Sequence, residues 1–126
     1  MPVQHFVDER GRYDGKTLQE LWRSVVDEVV RAVEPLEVIL FGSVARGDDG
    51  PDSDIDLLVV FDHIDPEDKR PMMARIRSAI ETFAPVDVIV SDPLEMARRR
   101  DDVGSILYWP AREGRCVYRR ASAEAV

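Results

Sequence analysis

The stretch VILFGSVARGDDGPDSDIDLLVVF, residues 38–61, constrains this chain more than any other. It reads as a strand, a Gly-Ser turn, a polar loop, and a second strand that opens with two aspartates. Ten residues separate Ser43 from Asp54. Asp54 and Asp56 stand two apart, so on an extended chain both carboxylates leave one face while Ile55 points the other way. Leu57 to Phe61 supplies the apolar body of that strand. Like charges side by side are costly without a counter-ion. A divalent cation relieves them, and oxygen-only ligands suit magnesium or manganese. An isolated Asp-x-Asp is more simply a solvated strand face; the Gly-Ser turn at this spacing favours the metal.

The flanking chain supplies a scaffold. Residues 1–16 carry no helical or strand period and contain Gly11 and Gly15, which predicts an arm or loose turn. Thr17-x-x-Glu20 fits a capping box, in which side chains satisfy the first unpaired amides of a helix. Leu18, Leu21, Trp22, Val25, Val26, Val29, Val30 and Val33 then follow as one apolar stripe up to Pro35. Glu37 to Phe41 reads as the first strand, Ser43 to Arg46 as a short helical turn, and Asp54 to Phe61 as the second strand. A longer helix is expected within residues 66–83, with Met73, Ile76, Ile80 and Phe83 facing inward. Its start is marked by Asp65-Pro66 or by Pro71. Val86 to Val90 reads as the third strand, Asp92-Pro93 opens a helix to about Arg100, and Ile106 to Glu113 predicts a last helix broken near Pro110. Cys116 to Tyr118 fits a short terminal strand, and residues 121–126 a frayed tail. The length of 126 residues suits one domain.

Topology brings the acidic residues together. Asp87 is the second residue of the third strand. The second strand, long helix and third strand form a βαβ unit, so those strands run parallel and begin on one edge. The tighter connection before them implies an antiparallel first strand, whose end carries Gly42-Ser43 to the same edge. Gly42, Ser43, Asp54, Asp56 and Asp87 are therefore expected to meet.

Gly42-Ser43, ten residues, then Asp54-x-Asp56 resembles the signature of the DNA polymerase β-like nucleotidyltransferase superfamily. The text GSVARG…SDIDLLV is similar to its small bacterial branch, the minimal nucleotidyltransferases (MNT domains). Ile106…Glu113-Gly114…Val117-Tyr118 also resembles the end of those domains, so the likeness runs from Leu36 to Tyr118. It implies an α+β fold, a small mixed β-sheet with helices packed on it. It also implies a three-carboxylate metal and catalytic site of Asp54, Asp56 and Asp87, and a phosphate-binding turn at Gly42 and Ser43. Arg46 is either a phosphate contact or the ion-pair partner of nearby aspartates. Two Mg²⁺ ions, or Mn²⁺ in their place, would reverse the local sign and bind the triphosphate of ATP. Asp87 would accept the proton of the attacking hydroxyl.

The acceptor is a separate question. Larger relatives that modify aminoglycosides or extend RNA carry a further helical domain, whereas only residues 88–126 follow Asp87 here. The MNT resemblance implies a separate helical HEPN protein, often a ribonuclease toxin, silenced by AMP placed on a tyrosine. Transfer to a small molecule or RNA end, or inhibition by binding without chemistry, are the alternatives. A formal charge of −8 argues against strong nucleic-acid binding through the overall field. The late arginines, from Arg98 to Arg120, read as solvated surface ahead of a binding patch. His5 and His63 read as solvated loop residues, Tyr108-Trp109 as packing or a contact surface, and Cys116 as inert. A single cysteine suits a reducing cytoplasm, no apolar run is long enough to span a membrane, and the arm at residues 1–16 could pair two subunits.

Overall fold

A computed structural model describes residues 4–121. The predicted tail therefore lies outside the described residues from 122 onward. The first helix, α1 (Leu18–Val33), starts on the expected capping box: Thr17 accepts from the Glu20 amide, and Glu20 reaches back to the Thr17 amide. It ends at Glu34, which takes a left-handed conformation before Pro35. Its stripe of Leu18, Leu21, Trp22, Val25, Val26 and Val29 is buried.

Among the described residues four strands form one mixed sheet: β1 (Glu37–Phe41), β2 (Ile55–Val60), β3 (Val86–Ser91) and β4 (Arg115–Arg119), in the order β3-β2-β1-β4. β1 pairs antiparallel with both β2 and β4, and β2 pairs parallel with β3. Alternate residues enter two apolar clusters. Val38, Leu40, Ile55, Leu57, Val59, Val88 and Val90 meet α1 and Ile76, whereas Ile39, Leu58 and Val60 meet Leu107 on the other face. Burial on both faces explains why β2 reads as an unbroken apolar run rather than an alternating one.

Between the strands lie α2 (Gly42–Arg46), α3 (Lys69–Ala79) and α4 (Pro93–Arg99), with α5 (Tyr108–Glu113) before β4. Asp92 caps α4 by accepting from the Glu95 amide at 2.9 Å and also accepts from the Ile64 amide at 3.0 Å. Burial works against its charge. Those amides, His63 and Lys69 prevail and hold the carboxyl below its ordinary range.

Three expectations need correction. The long helix is shorter than its apolar spacing implies: a 3₁₀ turn at Pro66–Asp68 precedes α3, which stops at Ala79 because Ile80 is extended. Pro71 sits in the first turn of α3, where an amide has no intrahelical partner to lose. Phe83 joins the core from the following connection, 5.3 Å from the Tyr13 ring. The last helix is not broken at Pro110, because it begins only at Tyr108 and its first turn accommodates the proline. Finally, residues 4–16 are no loose arm. They fold back through bridges between Val7 and Tyr13 and between Tyr13 and Lys16, with Tyr13 buried.

The remaining side chains follow the same packing logic. His5 is bonded to Asp14 at 2.8 Å and stacks near Phe83, so it is anchored rather than simply solvated; His63 is exposed and bonds Asp65 at 2.8 Å. Among the late arginines, Arg99, Arg112, Arg119 and Arg120 meet Asp102, Asp101, Glu37 and Asp62. Trp109 is exposed, whereas Trp22 is core. Among the described residues no helix is long and apolar enough to cross a membrane.

Candidate active site

The site grows from the end of β1. Phe41 is extended, Gly42 turns the chain at φ +74°, and α2 starts at once. A side chain on Gly42 would be strained at that φ, and its Cβ would collide with the Asp56 carboxylate. Glycine is thus what lets the turn lie against the acidic strand. Ser43 follows, half-buried, its carbonyl accepting from Gly47 at 2.9 Å and Asp48 at 3.1 Å.

Asp56 comes from the second position of β2 and Asp87 from the second position of β3, directly opposite one another in the parallel ladder. Asp54 lies two residues before Asp56, just outside the strand. The three carboxylates each offer an oxygen within 4.8 Å of the others. Asp54 and Asp56 are half-buried and Asp87 is exposed. Burial first, then the charges of Asp87 and Asp54, push the Asp56 carboxyl up to about 6. Burial and a hydrogen bond with Asp87 also raise Asp54.

These residues fit a hard divalent cation. Oxygens sharing one magnesium at about 2.1 Å stand at most roughly 4.2 Å apart, so small rotations of the side chains close the set. The raised proton affinities reflect burial first and unrelieved like charge second, and a cation would offset both.

Arg46, on the last turn of α2, forms the expected ion pair with a nearby aspartate, Asp48, and a second with Glu113. Its Nε lies 3.2 Å from Asp48 and its Nη1 3.0 Å from Glu113. The hydrogen bond to Asp48 leads the causes that raise its pKa, against some burial. The guanidinium nevertheless makes itself felt at Asp56, where it opposes the upward shift.

Two residues outside the turn and the acidic strands also shape the site. The Gln19 amide, on the polar side of α1, donates to the Val44 carbonyl and to Asp49, both at 2.8 Å. It ties α2 to the loop leading to Asp54. Glu113 reaches Arg46 across 67 positions. Neither spacing forms a motif, so only the folded chain reveals them. A separate groove of about 440 Å³, lined by Leu36, Ile39, Val60, Met96 and Cys116 among others, includes none of the three aspartates.

The family model for the nucleotidyltransferase domain matches residues 19–108, a span that contains the turn and all three aspartates. A crystal structure at 1.40 Å of a candidate nucleotidyltransferase from Sulfolobus solfataricus superposes with a TM-score of 0.58 at 31% identity, over 82% of this chain and 81% of that one. No curated protein matches the sequence.

Proposed function

Because this chain belongs to the nucleotidyltransferase domain family, we propose that it moves AMP from ATP to a tyrosine hydroxyl of a helical HEPN-type partner, acting as its antitoxin. The observation that carries the chemistry is the convergence of Asp54, Asp56 and Asp87 beside Gly42-Ser43. The choice of acceptor rests on the resemblance of GSVARG…SDIDLLV to the MNT branch. The exposure of Asp87 is in keeping with it, since a carboxylate open to solvent can be reached by a residue on another protein.

Asp54, Asp56 and Asp87 would hold the divalent cation. Magnesium bound there supplies positive charge for the triphosphate and for the leaving pyrophosphate. Gly42 lets the turn lie against the acidic strand, and Ser43 beside it offers a hydroxyl donor to phosphate. The acceptor oxygen forms a bond to the α-phosphorus as the bond to pyrophosphate breaks, and Asp87 takes the hydroxyl proton. Positioning and electrostatics supply most of the acceleration.

Intact mass of a co-purified helical partner, before and after ATP and magnesium, tests reaction and acceptor together. An adenylyl increment on the partner, absent with Asp54→Asn plus Asp56→Asn, is expected. Label from ATP appearing on a small molecule or RNA end would move the acceptor elsewhere. Neutralisation that survives the double substitution would replace transfer by inhibition through binding.

A further inference from the structure

Three carboxylates within 4.8 Å attract any cation, and Arg46 stands on the five-residue α2 whose first residue, Gly42, lies against the Asp56 carboxylate. Yet Arg46 is bonded to Asp48 and Glu113 instead. Both restraints have fixed backbones. Asp48 follows the left-handed Gly47 that ends α2, and its amide is bonded to the Ser43 carbonyl. Glu113 closes α5, where the Gly114 amide bonds the Pro110 carbonyl at 3.0 Å. Gly114 is pressed so tightly against Pro110 and Ile39 that a Cβ would collide with both. Arg115 then pairs with Leu40, two residues before the Gly42 turn. Glu113 is thus pinned next to the strand end from which α2 grows.

Half-exposed ion pairs of this kind add little to stability. Their consequence here lies in where the guanidinium stands. We propose that Glu113, assisted by Asp48, is a positioning residue that holds Arg46 away from the aspartate cluster and so keeps that cluster open to a divalent cation. Without Glu113, the flexible arginine becomes an internal counter-ion that competes with the metal. The inference rests on the metal reading of Asp54, Asp56 and Asp87, and it assigns α5 a part in building the site.

Mn²⁺ binding to the whole protein without nucleotide, followed by the electron paramagnetic resonance of the free ion, tests it without any turnover. Wild type should bind Mn²⁺, and Asp54→Asn plus Asp56→Asn should not. Glu113→Gln should bind about two- to fivefold more weakly, the range set by a half-exposed ion pair. Asp48→Asn should weaken binding in the same direction, which covers the case of a poorly folded Glu113 variant. In an Arg46→Met background, Glu113→Gln should have little further effect. Equal binding by wild type, Glu113→Gln and Asp48→Asn overturns the inference while leaving the metal site standing. An undiminished effect in the Arg46→Met background also overturns it, because Glu113 would then act by its own charge. Failure of the wild type to bind Mn²⁺ overturns the metal reading and this inference together.

Discussion

Asp56 and Asp87 sit opposite one another in the parallel pairing of β2 and β3, so their side chains share a face of the sheet. Their register is set by the apolar residues that follow, Leu57 to Val60 against Val88 to Ser91. A slip of one residue would turn Leu58 and Val60 out of their cluster. Core packing therefore imposes the repulsion between the two carboxylates, and the repulsion creates the demand for a cation.

Replacing Asp56 or Asp87 with Asn should abolish transfer while preserving the fold. Loss of a carboxylate proposed to hold the metal should remove several kcal/mol of charge stabilisation, which corresponds to a rate lower by about a hundredfold or more. Labelled-ATP transfer, alongside circular dichroism, measures both effects. Transfer at the wild-type rate by either variant would remove that carboxylate from the mechanism.

The pH dependence of the metal-free protein should carry the sign of a raised carboxyl. Asp56 rises from an ordinary 3.8 to about 6, so between those values the native state keeps a proton that the unfolded state has released. Its effect is to make stability fall as pH climbs through that window, and the penalty is complete above about 6. Asp54, also raised, acts in the same direction. Asp92, held below its ordinary value, loses its favourable contribution only at lower pH. Thermal melts from pH 5 to pH 8 should show Asp56→Asn gaining most over wild type at the alkaline end, and added Mg²⁺ should stabilise wild type most there. A gain for Asp56→Asn confined to pH 5 would contradict this sign.

Gly42→Ala tests the turn. The residue is at φ +74°, where a Cβ costs about 1–3 kcal/mol, and the new methyl would strike the Asp56 carboxylate. Lower melting temperature and weaker cation binding are expected together. An alanine variant with both unchanged would show that the turn relaxes freely.

Gln19→Ala removes the amide that joins Val44 to Asp49. Each hydrogen bond contributes on the order of 0.5–1.5 kcal/mol, so a modest destabilisation is expected. Its distinguishing effect should be a higher KM for ATP with kcat nearly kept, because the amide supports the turn proposed to bind phosphate without touching the reacting atoms. A fall in kcat at constant KM would argue against that role.

Periodicity and punctuation carried the fold a long way. The capping box at Thr17 and Glu20, the stripe of α1 and the bounds of β1 were legible because each is a local signal. Antiparallel and parallel pairing followed from connection length. The meeting of Asp87 with Asp54 and Asp56 needed only that topology. The end of α3 was not legible: Ile80 and Phe83 keep helical spacing, yet Ile80 is extended and Phe83 packs on the core from the connection beyond Ala79. Spacing reports which residues are apolar, not which backbone delivers them.

The chain's sequence by itself determined the order of elements, the glycine turn and the acidic pattern, because those depend on neighbours a few positions apart. Tertiary structure alone decided that Tyr13 packs on Phe83, that Gln19 braces α2, and that Arg46 answers to Glu113 rather than to Asp56. Those pairings join residues dozens of positions apart. Their energies depend on distance and burial in space, quantities that no local pattern of residues encodes.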